Sequence, residues 1–353
     1  MSLFPNNSCK RFLVKLLLFF TPFVPLVVIY FVNDPFMKLH TYKRFDQSRM
    51  FLDEAYVGWR NILMNKDSLG FNSFIMGNSC TMAYNTREWE KHLDKGSVAV
   101  RFFDNAESLG GVYQKLESLD SIGIPIKNVL VVFDRKSLLS PYPLDKTKNL
   151  YSPEAAGISE MEFQLKSLQA FLYPSVLLPY LEYSITGKYK SSMKKVILEV
   201  PTIREPYTNN FINPREKEIQ RKGELYWLEN KSDFEPRQKS PKEETPIVKP
   251  KQIKVLRQIK QLCDKHHADF ILIIGPDFLQ KRLNKKDLSL IKKEIGNNNV
   301  WDFTGINEYT NDIHNYFEPG HYRPLLGKRL MDTIYAQRMR YQNLKEIQPK
   351  GRQ

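Results

Sequence analysis

The sequence predicts an α/β fold: a three-layer α/β/α domain around a central, mostly parallel sheet, preceded by one N-terminal transmembrane helix. Three observations carry this expectation. Strand-like runs at Asn72–Gly77, Ser97–Phe103 and Asn128–Phe133 alternate with helical patterns, and the rhythm resumes at Asp269–Gly275 and Asn299–Phe303. The runs NVLVVF and DFILIIG are continuously apolar, as strands buried on both faces are. Leu16–Val32 reads LLLFFTPFVPLVVIYFV, without a charge. Strands alternating with helices are most simply joined by right-handed crossovers into a parallel sheet covered on both faces.

Composition narrows the partners. Lys and Arg number 53 against 39 Asp and Glu, a net charge of +14 over 353 residues. Such an excess favours anionic surroundings: a phospholipid surface, an acidic polymer or nucleic acid. The chain shows neither zinc-finger spacing nor a basic helix interleaved with aromatics, which argues against nucleic acid. Cys9, Cys80 and Cys263 are the only cysteines and form no Cys-x-x-Cys pair. Neither a disulfide scaffold nor a metal site is indicated. A Cys80–Cys263 bridge and a pair of buried thiols both remain open.

Taken in order, residues 1–11 form a cytoplasmic N-terminus carrying Lys10 and Arg11, and residues 12–33 form the transmembrane anchor. An uncharged helical run of this length rises about 25 Å, near the hydrocarbon thickness. Pro22 and Pro25 would kink the helix without excluding it from a bilayer. Positive residues ahead of the span place the N-terminus in the cytoplasm and the rest across the membrane. The residues after the run, Val32-Asn33-Asp34-Pro35-Phe36, lack a small-x-small cleavage site, which argues against a removed signal peptide. Residues 34–70 are a helical lead-in, with the helix itself expected from Tyr42 to Lys66.

The α/β domain is expected over residues 71–345, interrupted by an insertion at 140–250. Met161–Leu181 is leucine-rich and broken at Pro174 and Pro179. It reads either as helices packed on the domain or as a segment lying on the bilayer, where Lys188, Lys190, Lys194 and Lys195 would suit anionic headgroups. Residues 230–251, rich in Lys, Glu, Pro and Ser, read as a mobile loop. His266 and His267 are adjacent on a helix end, do not share a face, and read as surface residues. Residues 346–353 are a disordered tail.

Two stretches carry chemistry. In SFIMGNSCTMAY, Ser73–Tyr84, an apolar strand ends at Gly77 and Ser79 follows. That pattern delivers a hydroxyl to the carboxyl edge of a parallel sheet, where clefts of such folds lie. Near the end, Glu318-Pro319-Gly320-His321 precedes the last helix. A carboxylate placed to accept the Nδ1 proton of an imidazole fixes its tautomer, leaving Nε2 to take a proton from a hydroxyl.

Together, Gly77-Asn78-Ser79 and Glu318-Pro319-Gly320-His321 resemble the SGNH/GDSL hydrolase superfamily, whose first block supplies the serine and whose terminal Asp-x-x-His block supplies acid and base. With the N-terminal anchor and the wording around His321 to Pro324, the chain resembles the membrane-anchored, DltD-like branch associated with polysaccharide O-acetylation. The resemblance spans roughly residues 70–135 and 253–340. It implies an SGNH/flavodoxin-like fold without cofactors, with Ser79 as nucleophile, His321 as base and Glu318 as its acid. It also implies an oxyanion hole from the serine amide, a second-block glycine and a third-block Asn. Asn105, Ser108 and Gly110 are the second-block candidates. Asp134 stands where the Asn is usual, and Arg323 is a further substrate-side candidate. The activity implied is a serine esterase or O-acyltransferase acting on a cell-envelope polysaccharide or acyl-glycan. The alternative is a catalytically silent scaffold that partners a membrane acyltransferase or binds a glycan.

Overall fold

The computed structural model describes residues 7–46, 48–141, 151–234, 236–237 and 243–347. The chain divides into two units: Met1–Leu52 with Gly157–Pro201, and Asp53–Ala156 with Thr202–Gln353.

In the larger unit, five apolar segments pair side by side: β1 (Ser73–Gly77), β2 (Ala99–Arg101), β3 (Asn128–Phe133), β4 (Asp269–Ile274) and β5 (Val300–Asp302). All pairings are parallel, in the order β2-β1-β3-β4-β5. β1 and β3 are buried at every position, so both faces of the sheet centre are covered. On one face Ile75, Leu130, Val132, Ile271 and Ile273 cluster with Leu326, Leu330, Met331 and Ile334 of helix Pro324–Ile347. Helix Pro250–Lys265 packs against both Leu109–Ser121 and Lys285–Ile295.

The lead-in helix is shorter than expected. It runs Glu54–Leu69 rather than from Tyr42, because the Asp53 side chain accepts the Tyr56 N–H at 3.0 Å and starts it there. Gly70, with φ 65°, ends it.

The insertion is shared between the units. Its last third is also better held than a mobile loop would be. Ile247 and Val248 are buried and donate their backbone N–H groups to Asp287 at 2.8 and 3.0 Å. Arg237 lies over the Phe278 ring, 4.1 Å from its centroid. The expected mobile segment is therefore corrected at those residues, while 238–242 lie outside the described residues.

The smaller unit holds the apolar N-terminal stretch. Helices Asn7–Phe20 and Val24–Asn33 are joined by a 3-10 turn at Thr21–Phe23, beside Pro22 and Pro25. Over Lys10–Asn33, 24 residues, this stretch is by length and composition long and apolar enough to cross a membrane. Helices Glu160–Leu172 and Pro174–Thr186 follow one another in the same unit. The break falls before Pro174, which starts the second helix, whereas Pro179 is accommodated inside it. Phe171 packs on Tyr30 and Phe36, with ring centroids 5.4 and 6.4 Å apart, and Asn33 donates to the Tyr180 hydroxyl at 2.9 Å. The last helix of the chain continues to Ile347, so the expected tail is helical at its first residues. Residues 348–353 lie outside the described residues.

Candidate active site

The site begins where β1 ends. Gly77 has φ 128°, and a Cβ there would lie 2.0 Å from the Val132 carbonyl oxygen on β3. Only glycine lets the two strands approach and the chain turn out of the sheet. Asn78 then organises the exit. Its Oδ1 accepts the Cys80 N–H at 2.9 Å, capping the 3-10 turn Ser79–Ala83, and its Nδ2 donates to Ser137 Oγ at 2.9 Å. Ser79 is thereby held at the carboxyl edge of β1, and its own backbone N–H has no partner among the described residues. The turn is backed by the last helix at Gly327, where a Cβ would sit 2.1 Å from the Ala83 carbonyl oxygen.

The acid and base arrive on a hairpin, β6 (Tyr316–Glu318) and β7 (His321–Tyr322), with Glu318 opposite His321. Pro319 and Gly320 form the turn, where proline supplies a preset φ. The spacing of three thus places the two side chains together across a hairpin. Glu318 Oε1 bonds to His321 Nδ1, and His321 Nε2 lies 2.8 Å from Ser79 Oγ. A carboxylate on Nδ1 requires the proton there, so Nε2 is the acceptor facing the hydroxyl. Burial, followed by the Arg215 guanidinium, holds His321 below the ordinary histidine value, and Asp134 pulls it partly back. The imidazole is therefore neutral near pH 7, as a general base must be.

Sequence reasoning missed what holds this hairpin. Helix Pro214–Lys222 lies in the insertion, its N-terminus capped by Asn213. Its Arg215 donates to Glu318 Oε2, so the carboxylate is gripped from both sides. The next residue, Glu216, accepts from Arg323 Nη2 at 2.6 Å and Nε at 3.1 Å. Tyr226 Oη donates to the Phe317 carbonyl at 2.9 Å, and Trp227 Nε1 donates to that of Tyr316 at 3.2 Å. Asn213-Pro214 is a legible helix start, but nothing in the sequence links it to a residue 103 positions away.

The remaining candidates separate. Ser108 accepts the Gly111 N–H at 3.1 Å and caps helix Leu109–Ser121, so its hydroxyl is engaged, and Gly110 lies in the first turn of that helix. Asn105 follows β2, next to Asp104, whose N–H donates to the Gly77 carbonyl at 3.1 Å. The Asn105 side chain has no hydrogen-bond partner among the described residues, which leaves its amide free to meet a ligand. Asp134 is paired with neither Arg135 nor Arg323. It accepts the Ser137 N–H at 2.9 Å and the Ser137 hydroxyl at 3.1 Å, capping helix Arg135–Leu139. Arg323, the further substrate-side candidate, is engaged by Glu216, the His314 carbonyl and the Trp227 ring. Cys80 and Cys263 are separate, buried thiols, and burial pushes Cys263 up to about 12.

The molecule is thus an α/β protein whose parallel sheet presents a hydrogen-bonded Ser–His–Glu relay at its carboxyl edge. No family model, curated protein or solved structure matches the chain.

Proposed function

We propose that the protein is a membrane-anchored serine esterase or O-acyltransferase of the SGNH type, acting on an acylated cell-envelope polysaccharide. The observation that carries this reading is the 2.8 Å approach of Ser79 Oγ to His321 Nε2, with Glu318 on Nδ1. Ser79 Oγ attacks the ester carbonyl carbon as its proton passes to Nε2. The imidazolium, stabilised by Glu318, returns that proton to the departing alkoxide, and the acyl group stays on Ser79. Water or a glycan hydroxyl then attacks the acyl-enzyme, giving up its proton to His321. The Ser79 N–H and the Asn105 amide are the donors assigned to the tetrahedral oxyanion.

In this reading the helices form the outer layers of a three-layer α/β/α arrangement. Residues 12–33 cross the inner membrane from a cytoplasmic N-terminus, and the α/β unit is periplasmic. The net charge of +14 suits an anionic polymer or lipid-linked substrate.

A second reading, a silent scaffold partnering a membrane acyltransferase, is favoured by one observation: a carboxylate, Asp134, stands where an amide donor is expected. An organophosphonate probe separates the two. Mass spectrometry is expected to find the label on Ser79 and none on Ser79→Ala. Folded protein that takes no label would favour the scaffold.

A further inference from the structure

The helix pair of the smaller unit carries apolar side chains that its own packing does not use. In helix Glu160–Leu172 the inner face is Phe163, Ser167 and Phe171, all buried. A separate strip, Met161, Leu165, Leu168 and Leu172, runs along it at helical spacing, with Met161 74% and Leu165 58% exposed. Helix Pro174–Thr186 repeats the arrangement. Tyr180 faces inward, while Pro174, Leu178, Leu181 and Ile185 form a strip with the same spacing, Leu178 63% and Ile185 83% exposed. Each strip is bordered on one side by polar residues: Glu162, Lys166 and Gln169 on the first helix, Ser175, Glu182 and Thr186 on the second. A helix with a core face, an exposed apolar strip and a polar flank suits a boundary between lipid and water.

Position selects the occupant. Phe171 touches Tyr30, and Tyr180 bonds to Asn33, so the pair sits on the last turn of the apolar stretch Lys10–Asn33. One helical turn is about 5.4 Å, which places the strips at interfacial depth if that stretch crosses a bilayer. Beyond Gly187 the exposed lysines Lys188, Lys190, Lys194 and Lys195 follow, of which Lys190 is paired with Glu182.

We propose that helices Glu160–Leu172 and Pro174–Thr186 rest on the bilayer that holds the N-terminal span. Their apolar strips enter the acyl boundary, and the four lysines meet anionic headgroups. This rests on the reading of residues 12–33 as a membrane span. The occupant is lipid because the surface continues from the apolar span and its charge complements an anionic leaflet, which attracts basic residues beside a span.

The test uses the full chain in nanodiscs of phosphatidylcholine with or without phosphatidylglycerol. Cys9→Ser leaves only Cys80 and Cys263, both buried. Into it are placed Leu165→Cys, Leu178→Cys or Ile185→Cys, each carrying an environment-sensitive fluorophore. Brominated lipids are expected to quench roughly half or more of the emission at all three positions. Phosphatidylglycerol should increase the quenching, and replacing the four lysines with Gln should abolish that increase. Emission as in water overturns the proposal, as does a blue shift without lipid quenching, which would mean that protein covers the strips. An increase that survives the lysine replacements overturns the headgroup contact. Protein that never enters the discs overturns the anchor as well, so the two failures are distinguishable.

Discussion

Two charged residues act on His321 in opposite directions, and each can be tested. The Arg215 guanidinium disfavours the imidazolium, whereas Asp134 favours it. A histidine held below its ordinary value stays neutral to lower pH, so the acid limb of kcat/KM is expected below pH 6.5. Arg215→Ala should move that limb upward and Asp134→Asn should move it downward. Labelling rates measured across pH read both, and movement of the two limbs in the same direction would refute the assignment. Asp134→Asn carries a further expectation. Asparagine remains a competent helix cap, so stability should hold. In the proposed mechanism a neutral amide would then stand at the third-block position in place of a carboxylate, and turnover should rise by about 10-fold or more. Ser79, His321 and Glu318 were legible in the sequence because local spacing identifies them. Arg215 was not, because an arginine inside an insertion has no local signature of its partner.

At the level of elements, the strand end matters most. β1 must stop at a residue without Cβ, since the neighbouring β3 carbonyl occupies the space. Gly77→Ala combines that overlap with an unfavourable φ and is expected to cost about 3 kcal/mol or more, read from urea midpoints at unchanged m-value. The five sheet strands were legible from apolar runs, because strands buried on both faces leave that trace without help from elsewhere. Their ends were less so. β2 itself covers only Ala99–Arg101, where Ser97–Phe103 was expected, although Phe102 and Asp104 N–H still donate to the Ile75 and Gly77 carbonyls at 2.8 and 3.1 Å; its outer edge meets loop residues instead of a strand. There Arg101 N–H donates to the Thr208 carbonyl at 3.0 Å, and the Asn209 amide donates to the Arg101 carbonyl at 2.9 Å. The spacing of Glu318 and His321 was readable, but the hairpin that realises it was not, since three- and four-residue spacings suit both turns and helices.

Within the α/β unit, the insertion is a structural part rather than an appendage. Arg204 Nη2 donates to both carboxylate oxygens of Glu54, at 3.0 and 2.8 Å, in a buried ion pair that joins the insertion to the first helix of the unit. Removing one partner strands a buried charge, so Arg204→Ala should cost about 3–5 kcal/mol in thermal or urea unfolding. A double replacement, Glu54→Leu with Arg204→Leu, should recover most of it. Additive losses would show the two side chains to be uncoupled. Contacts such as this one, 150 positions apart, are where sequence reading ended. Composition reported Asn230–Lys251 as solvated, yet two apolar residues within it were enough to fasten it to Asp287. The imidazole hairpin, clamped by residues 215–227, also has a consequence for biosynthesis. The hydroxyl emerges from the ribosome 242 residues before its proton acceptor. A chain interrupted before residue 316 would carry a serine with nothing to activate it, so whatever chemistry this pair performs would be silent until the hairpin has been made.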